Sequence, residues 1–389
     1  MVDNMIEAKE ELMVSPSSAC ENKTLGTPHF SKSSIQDSHF LPTHFSISSK
    51  TITNFPQEIR YNGWRPPTKE WKTWVKKLQP KFEHLWIQTG IYGAIKASTY
   101  EIKRDDELIL ELANRWCSKR NMFVFPWGES TLTLEDTNIC FGYPFLGCSI
   151  SNPLMNSEQV KVEEELMEAR TMFNGSKAKK VNQRAWMMYF MESESKVEHE
   201  AFLIYWLSRF VFPANSYDTI SKSVLPIAIL LAHGNRVALA PAVLSSIYMD
   251  LSLLNSVITK KDTTTLNSLR ITIWSPFQLV QIWALERFLA LKPHPYTIGH
   301  GLPKVARWGG VKVLNCKNLK KDLDIAGFIN GFLWQPYENS PSVEIYNQKD
   351  MWKCYNPWWK KSKSSEERDN KRVKVEQHEL KGSNEESHF

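Results

Sequence analysis

Apolar residues recur at helical spacing along much of this chain, and the clearest stripe follows the segment Pro66-Pro67-Thr68. A threonine behind two prolines is typical of a helix start, because its hydroxyl can accept a hydrogen bond from the first helical turn. Spacings of three and four residues place side chains on one side of a helix. The inward positions of the predicted helix are Trp71, Trp74, Val75 and Leu78.

Two further segments show helical patterns with different environments. Residues 105–117 begin with acids, which suit the positive end of the helix dipole, and they place Leu108, Leu112 and Trp116 on one side. Residues 201–212 are apolar almost all round and end at Pro213, which predicts a helix that is buried on most sides.

Prolines mark the starts of two more helices. Pro241 precedes an apolar stripe at helical spacing, formed by Leu244, Ile247, Leu251 and Leu254. Ser275 and Pro276 have the pattern of an N-cap followed by a first-turn proline, and that helix should end before Pro293.

The most apolar stretch covers residues 224–244 and is interrupted by His233, Asn235 and Arg236. It falls short of the roughly 20 apolar residues that a membrane span needs. We interpret it as a buried helix pair, and no membrane association is expected.

Strand patterns are short and few, at residues 122–125 and 311–314, so the predicted fold class is mainly α with minor β. Periodic hydrophobicity begins near residue 55 and ends near residue 359, which predicts one large helical domain. Residues 1–54 form a serine-rich segment and residues 360–389 a charged tail, and both have the composition of disordered chain.

Composition narrows the function classes. The chain has 15 tryptophans but only 16 glycines in 389 residues, and scarce glycine argues against loops that cradle phosphates. The net charge of +6 is a mild basic bias and is weak evidence for nucleic-acid binding. Six scattered cysteines without a C-x-x-C pair predict reduced thiols in an intracellular protein.

Searches for catalytic motifs find none of the phosphate-binding, zinc-protease or serine-hydrolase signatures. His294 and His300 lie six residues apart around a proline and a glycine. They could be metal ligands, but a loop with two solvent-accessible histidines is favoured, because no other ligand cluster accompanies them.

Residues 123–144 hold the densest local pattern, which predicts a strand, a turn at residues 126–128 and a capped helix. Thr133 and Asp136 have the spacing of a capping box, while Gly142 and Pro144 end the helix. Glu129, Glu135 and Asp136 could instead be catalytic acids or metal ligands. Adjacent helical residues do not face each other, so a structural role is favoured.

Two stretches of the sequence allow a nucleic-acid-binding interpretation. The segment around residues 134–144 could begin a helix-turn-helix, but the chain that follows is acidic at residues 163–165 instead of basic. Arg307 and Trp308 could stack a nucleobase, but a packed tryptophan with a cation–π neighbour is favoured, because no other basic and aromatic cluster adjoins them.

Four stretches resemble the plant mobile domain family, also called the aminotransferase-like plant mobile domain, to which MAINTENANCE OF MERISTEMS-like proteins belong. They begin at Tyr61, Gly90, Phe125 and Trp283, and the last is followed by residues 306–308. The signature positions, for which a structural role is favoured, are Trp64, Trp71, Trp74, Phe125, Pro126, Trp127, Gly128, Glu129, Thr133, Leu134, Glu135, Asp136, Gly142, Glu286, Arg287, Phe288, Arg307 and Trp308.

The resemblance implies a nuclear protein of transposon silencing, genome stability and meristem maintenance, with other nuclear proteins as partners and a phosphatase-like protein among them. The family label also suggests a pyridoxal-phosphate transferase, for which Lys96 and Lys304 are candidates only as lysines. We expect a non-catalytic interaction domain without catalytic, metal-binding or cofactor-binding residues. The alternatives are an unrecognised enzyme and a transposon-derived DNA-binding domain.

The charged tail carries two basic clusters that could serve as a nuclear localisation signal. The clusters are Lys360, Lys361 and Lys363, then Lys371, Arg372 and Lys374. Acidic residues interleave with them, so a merely solvated tail is the alternative. Clustering and the family resemblance together favour nuclear targeting.

Overall fold

The structure is a computed structural model of the chain, and it describes residues 58–337 apart from 153, 155, 175–180, 214–215, 260–269, 292–297, 299–301 and 312–317. Both predicted tails, His294, His300, most of the predicted strand at 311–314 and the six basic tail residues therefore lie outside the described residues.

The described chain begins with a short strand and a long helix. Strand β1 covers Glu58–Tyr61 and helix α1 covers Lys69–Gln88. The Thr68 hydroxyl accepts a hydrogen bond from the Trp71 amide at 3.1 Å, which confirms the predicted helix start. The four predicted inward residues are all buried. Helix α1 continues through Pro80, and helix α2 follows at Tyr92–Ala97.

The predicted helix over residues 105–117 is shorter in the structure. Helix α3 covers Asp106–Asn114, and Trp116 lies in strand β2, Trp116–Cys117. The prediction that Trp116 belongs to the helix was wrong, because this residue pairs with Phe123 across an antiparallel ladder. Strands β3, Met122–Phe125, and β4, Gly128–Ser130, complete a three-stranded sheet, in which β4 had not been predicted.

Six helices follow the sheet. They are α4 (Leu134–Phe141), α5 (Ser157–Asn174), α6 (Gln183–Glu192), α7 (Glu198–Trp206), α8 (Leu225–Ala232) and α9 (Ala240–Ile258). Helix α7 continues directly into a π-helical turn, Leu207–Val211, and every residue of both except Glu200 is buried. This confirms the predicted buried helix that ends before Pro213.

The last part contains β5 (Arg270–Ile273), α10 (Gln278–Arg287) and α11 (Leu319–Ile325), with short 3₁₀ helices at Lys222–Val224, Leu289–Leu291 and Lys304–Trp308. Strand β5 pairs with β1 in parallel. Ser275 does not cap α10, contrary to the prediction: the N-cap is Phe277, and the Ser275 hydroxyl has no hydrogen-bond partner.

Eleven α-helices and five short strands in the described residues confirm the mainly α fold class. The apolar stretch at 224–244 corresponds to α8 and the start of α9, as predicted. Helix α9 has the length and composition of a membrane-spanning helix. One side of the helix, with Val243, Ile247, Leu251 and Leu254, is buried and packs against α3 and α4, while Met249 and Leu253 on the helix are exposed.

Candidate functional site

The Thr133–Asp136 capping box forms at the start of α4, directly after the β3–β4 hairpin. The Asp136 Oδ2 atom accepts hydrogen bonds from the Thr133 amide and hydroxyl, both at 2.8 Å. The Thr133 hydroxyl oxygen accepts from the Asp136 amide at 3.3 Å. One carboxylate oxygen thus serves the local cap, which leaves the other available for distant partners.

The second carboxylate oxygen of Asp136 holds two side chains from remote parts of the chain. Its Oδ1 atom accepts from Arg287 Nη2 at 2.8 Å and from the Tyr337 hydroxyl at 2.9 Å. Asp136 has 0% of its surface exposed, and Arg287 is also buried. Arg287 Nη1 donates to the carbonyl oxygens of Leu333 and Trp334. A buried ion pair therefore joins α4, α10 and the segment after α11.

Cys140 extends this network at the end of α4. Its Sγ atom lies 3.1 Å from the Tyr337 hydroxyl oxygen, and the thiol is fully buried. Burial raises the pKa of Cys140 well above its usual range, and burial raises the pKa of Tyr337 as well. Both groups are neutral at physiological pH, so Cys140 lacks the thiolate character of a nucleophile.

Glu286 points to a different partner from its neighbour Arg287. Its Oε1 atom accepts a hydrogen bond from Trp308 Nε1 at 2.8 Å, and its Oε2 atom lies 3.6 Å from Arg307 Nη1. The Trp308 ring is buried, so its faces are closed to a stacking nucleobase. Two adjacent signature residues thereby tie α10 to two separate segments.

An aromatic cluster surrounds the hairpin turn. Trp127 stacks on Phe125 with ring centroids 4.6 Å apart, and its other close neighbour is Phe332, also at 4.6 Å. Its indole N–H donates to the Leu323 carbonyl at 2.8 Å. A side chain at Gly327 would meet the Trp127 ring, since a Cβ atom there would come within 2.4 Å of it. Phe288 completes the cluster against Phe125 and Phe332.

The remaining residues of the hairpin stretch do not converge into a second polar site. Glu129 forms an ion pair with Arg120, while the half-buried Glu135 side chain has a pKa raised by burial and by Asp136. Leu134 packs against the core. Pro126 lies in the β3–β4 turn, and Gly128 at its end has a positive φ of 147°. Within the described ranges, no group of three or more His, Cys, Asp or Glu residues could hold a metal ion.

The tryptophans of the first signature stretch pack elsewhere. Trp71 stacks on Phe202 of α7 at 4.8 Å, and Trp74 Nε1 donates to the Glu198 carboxylate at 2.9 Å. Trp64 Nε1 donates to the Ile102 carbonyl at 2.9 Å. These tryptophans therefore link α1 and the loop before it to the rest of the core.

Glycines bring signature stretches into backbone contact. Gly142 ends α4 with a positive φ of 72°, and a Cβ atom there would lie 2.5 Å from the Gly93 carbonyl carbon. A Cβ atom at Gly63 would lie 1.9 Å from the Ser275 carbonyl oxygen. The glycine requirement is steric at both places, which explains why these stretches carry glycine.

The two candidate lysines do not assemble a pyridoxal-phosphate site. Lys96 donates to the Gln79 side chain at 3.4 Å. The pKa of Lys304 is lowered by burial and by Arg307, while the neighbouring Glu286 carboxylate already binds Trp308. Such a cofactor requires a lysine, an acid for the ring nitrogen and a phosphate cradle in one place. The described residues do not fit it.

Sequence reasoning missed three residues of this site: Phe332, Trp334 and Tyr337. Phe332 and Trp334 alternate with Leu333 as in a short strand, and Phe332 forms an isolated bridge with Phe288. Trp334 packs edge-on against Trp127 at 5.8 Å, yet 55% of it is exposed. The aromatic spacing was the available signal, although nothing local indicates its partner.

Comparisons with known proteins cover three of the four signature stretches, since the stretch that begins at Tyr61 lies before the matched residues. A family model described as the plant mobile domain matches residues 90–380. A protein from Arabidopsis thaliana named serine/threonine-protein phosphatase 7 long form homolog is 25% identical over 224 residues, which cover 56% of this chain and 16% of that protein. The chain thus spans about one sixth of that relative. No solved structure matches.

Proposed function

This chain belongs to the plant mobile domain family, and from that premise we propose that it is a non-catalytic nuclear protein. In this proposal it acts through protein contacts in transposon silencing, genome stability and meristem development and maintenance. The family resemblance supplies the biological process, and the arrangement of the signature residues supports the mode of action.

The polar signature residues are bound to one another. Asp136 uses both carboxylate oxygens within the fold, and Arg287 and Glu286 are similarly engaged. Catalytic groups need access to a substrate within hydrogen-bond distance. Side chains that are buried and bonded to one another support a structural role for the signature, so function is expected at the surface.

The surface beside the aromatic cluster around Trp127 is the expected contact site for a protein partner. Four large apolar side chains are exposed around the buried Phe332, and we call them the aromatic-edge patch: Leu289, Phe328, Ile329 and Trp334. The Leu289 amide donates to the Gly331 carbonyl at 2.8 Å, which holds the two segments of the patch together. Exposed apolar groups of this kind, two of which are aromatic here, are typical of protein interfaces.

We propose that the partner at this patch is a phosphatase-like nuclear protein. The support is that a segment similar to this chain occurs within a protein named as a phosphatase homolog. A domain that resembles part of a larger protein can associate with a separate protein of the same kind.

The test is affinity capture of the tagged full chain from plant nuclei, with variants on two matched surfaces. The substitutions Phe328→Ala and Trp334→Ala should abolish capture of a phosphatase-like protein and leave the melting temperature within a few degrees of wild type. The control, Met249→Ala with Leu253→Ala, removes exposed apolar groups from α9 and should capture normally.

Two outcomes contradict the proposal. Capture that is equally sensitive to both variants would exclude a specific patch, and exclusion of the tagged protein from nuclei would exclude the nuclear role. An absorbance band in the visible range after addition of pyridoxal phosphate would favour the enzyme alternative. DNA affinity that falls steeply with salt would favour the DNA-binding alternative.

A further inference from the structure

The aromatic-edge patch leaves large apolar side chains in contact with water at the point where the described chain ends. Phe328, Ile329 and Trp334 have 68%, 62% and 55% of their surfaces exposed. Among the tryptophans of the described ranges, only Trp334 is exposed. A cluster of apolar side chains in water is unfavourable and marks a contact surface.

Backbone contacts hold the patch in place on the end of α10. The Leu333 amide donates to the Arg287 carbonyl at 2.8 Å, and the Gly331 amide donates to the Ala326 carbonyl at 2.7 Å. The Trp334 ring packs edge-on against the buried Phe332, with ring centroids 4.9 Å apart. An occupant of the patch therefore meets a preformed surface and does not have to order it, which favours binding.

The sequence carries a second apolar cluster shortly after the last described residue. Residues 351–359 read Met-Trp-Lys-Cys-Tyr-Asn-Pro-Trp-Trp and have Lys353 as their only charged residue. The family match continues to residue 380, so this segment lies within the matched part of the chain. Tryptophan rings gain a large apolar contact area when they are covered, and so short a segment cannot bury three of them within itself.

The connection to this segment is short enough to keep it beside the patch. Trp334 lies just before Tyr337, where the described residues end, and residues 338–350 lead from there to Met351. Chain of that length spans at most about 45 Å when it is fully extended. Tethering over such a distance gives an effective concentration on the order of millimolar, so that even weak contacts are occupied.

The two apolar clusters are compatible in chemistry. The four residues of the patch carry no charge, so an apolar occupant covers no ion that would lose its hydration. Aromatic rings of the segment can stack on, or pack edge-on against, Phe328 and Trp334. Lys353 can keep its ammonium group in water while its methylene groups cover apolar surface.

We propose that residues 351–359 dock on the aromatic-edge patch of the same chain. The docking rests on the patch that the proposed function uses, but its occupant in the free protein is the chain itself. A protein partner then has to displace the segment. The segment therefore lowers the apparent affinity for the partner by the fraction of molecules in which the patch is covered.

Disulfide formation with Cys354, which lies inside the segment, tests the docking in the full chain. Ile329→Cys and Leu289→Cys each place a thiol at the patch, and two positions are used because a disulfide needs Cα atoms within about 7 Å of each other. After mild oxidation, peptide mass spectrometry should find an intramolecular bond from Cys354 to at least one of them. Leu253→Cys, on the exposed side of α9, is the control and should give at least tenfold less of this bond.

A second variant separates docking from simple tethering. Trp352→Ser, Trp358→Ser and Trp359→Ser together keep the connection but remove the aromatic rings, so the yield of the patch disulfide should fall about tenfold. Lys360→Ser with Lys361→Ser changes the neighbouring charges instead and should keep the original yield. An equal yield without the three tryptophans, or no bond from either patch position, would overturn the proposal. A bond found only in dimers would assign the patch to a second copy and would also overturn it.

Affinity capture from plant nuclei distinguishes failure of the docking from failure of the proposed function. The triple tryptophan variant should capture the partner severalfold more strongly than wild type, because no segment competes for the patch. Capture by the wild type without any patch disulfide would refute the docking and leave the proposed partner in place. A patch disulfide without capture by the triple variant would refute the proposed partner and leave the docking in place.

Discussion

Asp136 shows at the residue scale how a local cap becomes a tertiary anchor. A cap acid alone contributes about 0.5–2 kcal/mol to stability. Here the same carboxylate also binds Arg287 and Tyr337 in a fully buried setting. We therefore predict that Asp136→Asn lowers the free energy of unfolding by about 3–5 kcal/mol, because it leaves the Arg287 guanidinium buried without its anion.

Urea unfolding of the purified variant measures this loss, and Glu129→Gln supplies the control. Glu129 forms a more exposed ion pair with Arg120 on the hairpin, so its removal should cost less than about 1 kcal/mol. If Asp136→Asn unfolds like wild type but fails to capture the partner, Asp136 is a binding residue, and its structural interpretation is wrong.

His199 gives the domain a defined response to acid. Burial lowers the pKa of His199 to about 3, its ring stacks on Phe82 at 3.9 Å, and its Nε2 atom accepts from Trp86 Nε1 at 3.0 Å. In the unfolded chain the His199 ring binds a proton as the pH falls below about 6.5, whereas in the folded chain it stays neutral down to about pH 3. Stability is therefore full above pH 6.5 and falls as the pH drops toward 3, by about 3 kcal/mol between pH 7 and pH 4.

His199→Gln isolates this contribution, because glutamine keeps an acceptor for the Trp86 indole but does not titrate. The free energy of unfolding should be compared between the variant and wild type across pH 4–7. The free energy of unfolding of the wild type minus that of the variant should decrease by about 3 kcal/mol as the pH falls from 7 to 4, because only the wild type loses stability through His199. Parallel curves for the two proteins would show that His199 does not carry the acid sensitivity.

At the element scale, helix starts were predictable where their stabilising contacts are local. Thr68 caps α1, and the Thr133–Asp136 box caps α4, each within three residues of chain. The helix ends, and the residues that depart from a helical pattern, depend on contacts with distant parts of the chain. Trp116 continues the helical spacing of α3, but its pairing with Phe123 and the hydrogen bond from its indole to Ser252 at 2.9 Å draw it into the sheet.

Ser275 illustrates the same limit at the start of α10. Its amide and that of Trp274 donate to the Asp250 carboxylate of α9, at 2.7 Å and 2.9 Å. Its carbonyl oxygen packs against Gly63. These contacts fix a backbone in which Ser275 cannot cap, although its local sequence is well suited to that role.

The sequence predicted Asp136 and Arg287 as members of the candidate site, but it predicted neither Tyr337 nor the pairings between these residues. The sequence separates Asp136 from Arg287 by 151 residues and from Tyr337 by 201 residues. A single sequence carries no signal for which buried acid meets which arginine. Likewise, Arg209 lies 3.3 Å from the Asp218 carboxylate and belongs to the π-helical turn, which no periodicity indicates.

For the whole molecule, the folding unit extends before the family match, which starts at residue 90. Strand β1 pairs with β5 along its full length. Helix α1 covers α7, where Trp71 and Trp74 pack on Phe202 and Trp86 bonds to His199. Removing residues before 90 would expose an otherwise buried helix.

We predict that a chain of residues 90–389 does not fold, whereas a chain of residues 55–389 does. Loss of α1 removes five buried side chains, Trp71, Trp74, Val75, Leu78 and Trp86, each contributing about 2–5 kcal/mol by the cost of truncating large apolar groups. Their sum, about 10–25 kcal/mol, is as large as or larger than the 5–15 kcal/mol by which ordinary domains are stable. Calorimetry should show one cooperative transition for residues 55–389, close to that of the full chain, and none for residues 90–389. A cooperative transition in the shorter chain would mean that other elements bury α7 when α1 is absent. Residues 58–89 would then be an addition to the domain and not part of its core.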